Sequence, residues 1–168
     1  MLLKDRTAIV YGASGAVGSA VARAFAREGA RVILAARRRE PLEKVAKDIT
    51  RHGGLAEVTT VDAMDAHAIE QHLEAVSTRF GAVNLMFNAI SWDDVQGQAL
   101  TDMPFDQFLA PVQNGLTTWF HTGTALAKHM AKHKGGTILG ITANAGRQAF
   151  ANIGGFGIAC AAVEHYLR

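Results

Sequence analysis

Short apolar runs alternate with stretches of helical periodicity from the start of this chain. Ala8–Val10, Val32–Ala36 and Val83–Asn88 are nearly continuous runs, which is typical of strands buried on both faces of a sheet. Between them, residues 17–27 and 41–49 place apolar side chains every three or four positions, as amphipathic helices do. This alternation predicts βαβ units, whose right-handed crossovers build a parallel sheet with helices on both faces.

The rest of the chain continues the alternation. A short strand is expected near Ala56–Val61, and Asp65 is placed to cap a helix that ends before Gly81. After a polar loop at 91–104, a long helix is predicted from about Val112 to His133, with Pro111 kinking or restarting its beginning. A fifth strand at Thr137–Thr142 and a last helix follow. We therefore expect a single α/β domain over residues 1–168, a doubly wound parallel sheet of order 3-2-1-4-5.

A glycine-rich turn separates the first strand from the first helix. Its glycines are Gly12, Gly15 and Gly18, in the sequence Gly-Ala-Ser-Gly-Ala-Val-Gly. Glycines allow a sharp bend and a close approach of phosphate to the backbone, and the amides of the following helix start favour an anion. In this strand–turn–helix context the pattern predicts a site for a dinucleotide pyrophosphate. The alternative is a tight turn without a ligand.

The second strand is followed by guanidinium groups instead of a carboxylate. About 20 positions after such a turn an acidic residue usually holds the ribose of NAD, but this chain has Arg37 and Arg38 there. Guanidinium groups suit a 2′-phosphate, which favours NADP(H) over NAD(H). The alternative is that the two arginines form a solvated basic surface that binds no ligand. Asp62, after the third strand, is either a hydrogen-bond acceptor for the adenine amino group or a capping aspartate.

Composition narrows the class of protein further. The net charge of +2 gives no argument for nucleic acid or an anionic membrane as a partner, and no apolar run approaches the length of a membrane span. The single cysteine, Cys160, lies in an apolar stretch and is expected to be a small buried residue in a reducing compartment, so we expect a cytoplasmic protein. His129 and His133 have metal-compatible spacing, but no third ligand is evident and we expect no metal.

These motifs, in this order, resemble the short-chain dehydrogenase/reductase family over essentially the whole chain. Tyr11–Gly18 is similar to the family's Thr-Gly-x-x-x-Gly-x-Gly, with Ala16 at the middle glycine. The resemblance implies a Rossmann-like fold and a nicotinamide cofactor. By this resemblance and the preceding reasoning, the cofactor-binding residues are Gly12, Ser14, Gly15, Val17, Gly18, Arg37, Arg38, Asp62, Ala63, Asn88, Ala89, Ile90 and Thr142.

The catalytic positions depart from the family pattern. Asn114 matches the asparagine that keeps a proton-relay water in place, but the serine, tyrosine and lysine positions hold Ala143, Phe156 and Cys160. A general acid and a cationic neighbour are therefore missing. Residues 149–157 are similar to the corresponding loop of enoyl- and dienoyl-thioester reductases, although the tyrosine of that group would fall at Ile153 and its lysine again at Cys160.

Two hypotheses remain from the sequence. The first is an atypical NADP(H)-dependent oxidoreductase that transfers hydride to a carbonyl or conjugated enoyl small molecule. The second is a catalytically deficient nucleotide-binding or partner-binding protein on the same scaffold. By resemblance, a homo-oligomer is expected through the long helix 112–133 and the last helix. Because the family continues into further strands, we expect either a fragment or an open sheet edge that another chain covers.

Overall fold

A computed structural model describes all residues, 1–168. The strands are β1 (Thr7–Tyr11), β2 (Arg31–Ala36), β3 (Leu55–Thr60), β4 (Val83–Asn88) and β5 (Thr137–Gly140). The helices are α1 (Ala16–Arg27), α2 (Arg39–Arg51), α3 (Ala66–Phe80), α4 (Phe105–Lys132) and α5 (Phe156–Tyr166), with 3₁₀ turns at Leu100–Asp102 and Asn144–Gly146. All strand pairs are parallel and the order is β3-β2-β1-β4-β5, which confirms the predicted topology.

The chain divides into two compact units. The first comprises residues 1–90 and 121–140 and contains the whole sheet, α1 to α3 and the second part of α4. The second comprises residues 91–120 and 141–168, with the first part of α4 and all of α5.

Alternation along β1 divides the core of the first unit between the two faces of the sheet. Ala8 and Val10 pack with the apolar stripes of α1 and α2, such as Ala22 and Leu42. Because successive strand residues point to opposite faces, Ile9 and Tyr11 face the other side. There the Tyr11 hydroxyl contacts His72 of α3. Helix α3 begins at the predicted N-cap residue. The backbone amides of His67 and Ala68 donate to the side chain of Asp65.

The predicted bounds of two elements were wrong. Helix α4 begins at Phe105 and not at Val112, with Pro111 inside it. Pro111 offers no N–H to the carbonyl of Gln107, but Gln107 is an exposed residue, where an unpaired carbonyl costs least, and the helix continues through the proline. Strand β5 ends at Gly140 and not at Thr142, because its last pairing is with Asn88, where β4 itself ends.

Candidate functional site

The glycine turn after β1 is shaped by contacts that exclude side chains. Gly12 has φ +73°, and a Cβ there would lie 2.5 Å from the Ala89 carbonyl oxygen. A Cβ on Gly18 would lie 2.3 Å from the Gly12 carbonyl oxygen. Gly15 is different, since its Cβ would meet only that same oxygen at an ordinary 3.5 Å. Two of the three glycines are therefore required by the packing of the turn itself.

The start of α1 presents uncapped backbone amides next to this turn. Gly15 occupies the N-cap position, and no side chain caps the helix. Gly15, Ala16 and Val17 are exposed, whereas Ser14 is half-buried. Ala16 replaces the family's middle glycine at a surface position, so its methyl group costs no backbone contact. An exposed helix start without a side-chain cap has the features that bind phosphate.

Arg37 and Arg38 follow β2 directly beside this turn. The Gly12 amide donates to the Ala35 carbonyl at 2.9 Å, which fixes the turn against the end of β2. Both guanidinium groups are exposed and neither forms an ion pair, whereas the next residue, Arg39, is paired with Glu43 at 2.7 Å. The two unpaired cations are therefore available to an anionic ligand.

The turn after β3 contains Asp62 and Ala63. One carboxylate oxygen of Asp62 accepts the Met64 amide at 3.0 Å, so the residue does cap a turn, while its second oxygen has no partner. Ala63 is buried, and its carbonyl accepts a hydrogen bond from Nδ1 of His121 at 3.0 Å. This contact could not be predicted from the sequence, since His121 lies 58 residues further along the chain.

Asn88 uses its whole side chain to hold the end of β4. Its Nδ2 donates to Thr122 Oγ1 at 3.1 Å, and its Oδ1 accepts the Ile90 amide at 3.0 Å. The Ala89 amide donates to the Tyr11 carbonyl at 2.9 Å. These bonds place the Ala89 carbonyl where it closes on Gly12. Asn88 therefore shapes the wall of the glycine turn, and Ala89 and Ile90 form that wall.

In the second unit, an aromatic side chain packs against the residue at the position of the family tyrosine. Phe156 is the first residue of α5, and its ring centroid lies 5.9 Å from that of Trp92. Trp92 is buried, so it is an anchor and not an exposed cap, and its indole lies where a Cβ on Gly115 would be 3.2 Å away. Asn114 donates at 3.3 Å both to the Trp92 carbonyl and to Asp93 Oδ2.

The positions of the family serine and lysine carry no replacement chemistry. Cys160 is fully buried, and burial raises the pKa of its thiol despite a hydrogen bond from the Ala143 backbone. The Thr142 hydroxyl, next to Ala143, donates to Glu164 at 2.9 Å. Arg147 donates to the other oxygen of Glu164 at 2.8 Å. The hydrogen bond from Arg147 and, to a smaller extent, the one from Thr142 lower the pKa of the Glu164 carboxyl. None of these groups is an acid suited to neutral pH.

The predicted cofactor residues thus gather within the first unit at the carboxyl ends of β1 to β4, except Thr142. Thr142, Asn114 and the three substituted catalytic positions belong to the second unit. None of the helices is both long and apolar enough to span a bilayer. A parallel sheet of this order, with a phosphate-type turn after its first strand, defines a dinucleotide-binding α/β fold.

Comparison with known proteins identifies the family. A sequence model of the short chain dehydrogenase family matches residues 6–168, and the chain belongs to this family. It is 33% identical over 147 residues to L-rhamnose 1-dehydrogenase (NAD(P)(+)) of Azotobacter vinelandii, covering 84% of this chain and 57% of that enzyme. The chain spans 57% to 64% of the length of the curated relatives that it matches here.

Solved structures share the fold over almost all of the chain. An NAD⁺-bound xylitol dehydrogenase matches with a TM-score of 0.93 at 25% identity, covering 99% of this chain and 64% of that one. A metagenomic short-chain oxidoreductase in complex with NADP matches with a TM-score of 0.86 at 28% identity, covering 99% of this chain and 75% of that one. The two relatives carry different nicotinamide dinucleotides, so neither decides which one this chain prefers.

Proposed function

We propose that this chain is an atypical NADP(H)-dependent oxidoreductase of the short chain dehydrogenase type. The observation that carries the proposal is the glycine turn. Gly12 and Gly18 exclude any Cβ, and the exposed start of α1 beyond them has no side-chain cap. A tight turn without a ligand would not need an open, uncapped helix start beside it. These residues fit a pyrophosphate held on backbone amides.

Preference for NADP(H) rests on the end of β2. Arg37 and Arg38 are exposed, carry no ion pair, and stand where an NAD-selective site would have a carboxylate. A carboxylate would repel a 2′-phosphate, whereas guanidinium groups bind one by charge-assisted hydrogen bonds. Asp62, with one unpartnered carboxylate oxygen, is proposed as the acceptor for the adenine amino group.

The choice of substrate follows from which groups are missing. The bound nicotinamide would supply or accept hydride, but Phe156 has no proton to give and Cys160 supplies no cationic field. Loss of general acid catalysis costs about 10²- to 10⁴-fold in rate. A conjugated enoyl acceptor tolerates this loss better than a simple carbonyl because water can protonate the product carbanion later. We therefore propose a small enoyl or carbonyl compound as substrate.

A second function, a catalytically deficient nucleotide-binding or partner-binding protein, is favoured by the packing of the second unit. Trp92 lies against Phe156 and Gly115, and the amide of Asn114 is bound to Trp92 and Asp93. An asparagine in these contacts does not hold a proton-relay water with the same amide hydrogens. This arrangement supports binding without turnover.

Titration with NADPH and NADH, followed by turnover assays on enoyl-thioester and carbonyl panels, tests both functions. Submicromolar to micromolar NADPH binding with enoyl-dependent oxidation would support the oxidoreductase, and binding without turnover would support the second function. Absence of binding to either nucleotide would refute the oxidoreductase and the nucleotide-binding form of the second function. The variant A143S/F156Y/C160K tests whether the family chemistry can be restored, and A143S/F156Y serves as its control because a lysine at the buried position 160 must be desolvated.

The proposed assembly is a homo-oligomer formed through α4 and α5. Both helices expose apolar side chains in the second unit, with Phe120 at 58% and Ile158 at 51% exposure. A single buried thiol suits the reducing cytoplasm, which is the proposed location. Sedimentation of the wild-type chain and of F120K tests the assembly. A monomeric wild type, or an oligomer unaffected by the lysine, would refute this interface.

A further inference from the structure

We propose that His121 is a positioning residue for the adenosine half of the dinucleotide, an inference that rests on the proposed function. Its imidazole Nδ1 lies 3.0 Å from the carbonyl oxygen of Ala63. A carbonyl only accepts, so Nδ1 carries the hydrogen and the ring orientation is fixed. The residue thereby links α4 to the turn that presents Asp62.

This turn has few other long-range constraints. Asp62 accepts the amides of Met64 and Asp65 at 3.0 and 3.1 Å, both within the turn itself. The Val61 amide donates to the Ala36 carbonyl of β2 at 3.1 Å, just before the turn. Beyond Val61, the bond from His121 is the contact that fixes the peptide of Ala63 to a distant element. Without it, the peptide can rotate and carry the Asp62 carboxylate away from its place.

The neighbouring residue in α4, Thr122, holds the end of the following strand, β4. Thr122 accepts the Asn88 amide at 3.1 Å, which holds the end of β4 where it closes on Gly12. Two consecutive residues of α4 therefore hold the turn after β3 and the end of β4. The phosphate side of the candidate site depends on Thr122 and the adenosine side on His121, so the two sides are separable by experiment.

The same helix offers a matched control. His129 also bonds a backbone group of the first unit, since its Nε2 accepts the Val83 amide at 3.0 Å. Val83 begins β4, so this bond lies at the amino edge of the sheet, opposite the carboxyl ends that form the candidate site. In H121F and H129F, a histidine that is hydrogen-bonded to the backbone is replaced by phenylalanine. Only H121F alters the turn after β3.

The experiment measures the affinity of H121F, H121N and H129F for NADPH and for adenosine 2′,5′-bisphosphate by calorimetry. Removing one hydrogen bond is expected to weaken both ligands by the same factor in H121F, between about twofold and tenfold. Asn at position 121 keeps an N–H donor near the position of Nδ1, so H121N is expected to restore most of the affinity. H129F is expected to lower the thermal midpoint without changing either affinity. Amide exchange in the ligand-free protein should speed up at residues 63–65 in H121F alone.

Three outcomes would overturn the inference while leaving the proposed function intact. These are wild-type affinity in H121F, a loss for NADPH without a loss for the bisphosphate, and an equal loss in H129F, which would indicate general destabilisation. If the wild-type chain binds neither ligand, the proposed function and this inference fail together.

Discussion

A buried histidine in the first unit makes the stability of this chain dependent on pH. The Tyr11 hydroxyl lies 3.2 Å from His72 Nδ1, and the rings meet edge to face with centroids 5.6 Å apart. His72 is buried and its Nε2 has no hydrogen-bond partner. Burial lowers the pKa of His72 from 6.5 to about 4, because the imidazolium would lose its hydration. The folded protein therefore holds His72 neutral at pH values where the unfolded chain is protonated.

The magnitude follows from proton linkage. The unfolded chain binds more protons than the native state below about pH 6.5, so the free energy of unfolding falls as pH falls from there towards 4. The gap between the two pKa values is worth about 3 kcal/mol in total. Between pH 7 and pH 5, where His72 is still neutral in the fold, the loss is about 2 kcal/mol. His129 adds to the same trend, since burial first, and then His133 and Lys132, lower its pKa.

Urea unfolding at pH 7 and pH 5 measures this loss in the wild type, H72F and Y11F/H72F. The double variant is needed because H72F leaves the buried Tyr11 hydroxyl without its partner, which costs stability at every pH. Both variants should lose about 2 kcal/mol less than the wild type between the two pH values. The reasoning is refuted if H72F loses as much stability as the wild type, or if the C2 proton of His72 titrates near pH 6.5 in the folded protein.

The other predictions concern the nucleotide site and the second unit. G12A should abolish detectable NADPH binding and lower the thermal midpoint, because its Cβ would overlap the backbone of Ala89 at a positive φ. G15A should change the NADPH affinity by less than about threefold, and equal effects of the two variants would contradict the packing argument. R37A/R38A should weaken NADPH by about ten- to a hundredfold and NADH by less than about twofold, and an equal loss for both would refute 2′-phosphate recognition. W92A should reduce the free energy of unfolding by about 3–5 kcal/mol in a urea titration, W92F by less, and a neutral W92A would show that the indole is not a packed anchor.

Most of the sheet was predictable because its strands are short, apolar and separated by periodic helices. Val83–Asn88 matches the structure at both ends, and Asp65 caps α3 as its position indicated. The start of α4 was not predictable from Pro111, since a helix can continue through a proline where the carbonyl left unpaired belongs to an exposed residue. That condition depends on the exposure of Gln107, which is a property of the tertiary structure and not of the local sequence.

The residues of the candidate site were likewise predictable only in part. The glycine turn and the arginines could be found because strand, turn and helix are consecutive in sequence. His72 and His121 could not, since each acts through one contact with a residue 61 or 58 positions away and neither belongs to a local pattern. The position of Trp92 beside Phe156 likewise depends on the fold, because the two residues are 64 positions apart in the sequence.

The substitutions in the second unit are coupled by packing. The Phe156 ring lies against Trp92, and Cys160 occupies a fully buried position that an ammonium could enter only if it lost its hydration. Thr142 is held by Glu164, so its hydroxyl does not replace the missing serine. A tyrosine at position 156 would pack its phenol against Trp92, and a lysine at the buried position 160 would have to lose its hydration. Family chemistry is therefore expected to return only when Ala143, Phe156 and Cys160 are changed together, and C160K alone should lose stability without gaining turnover.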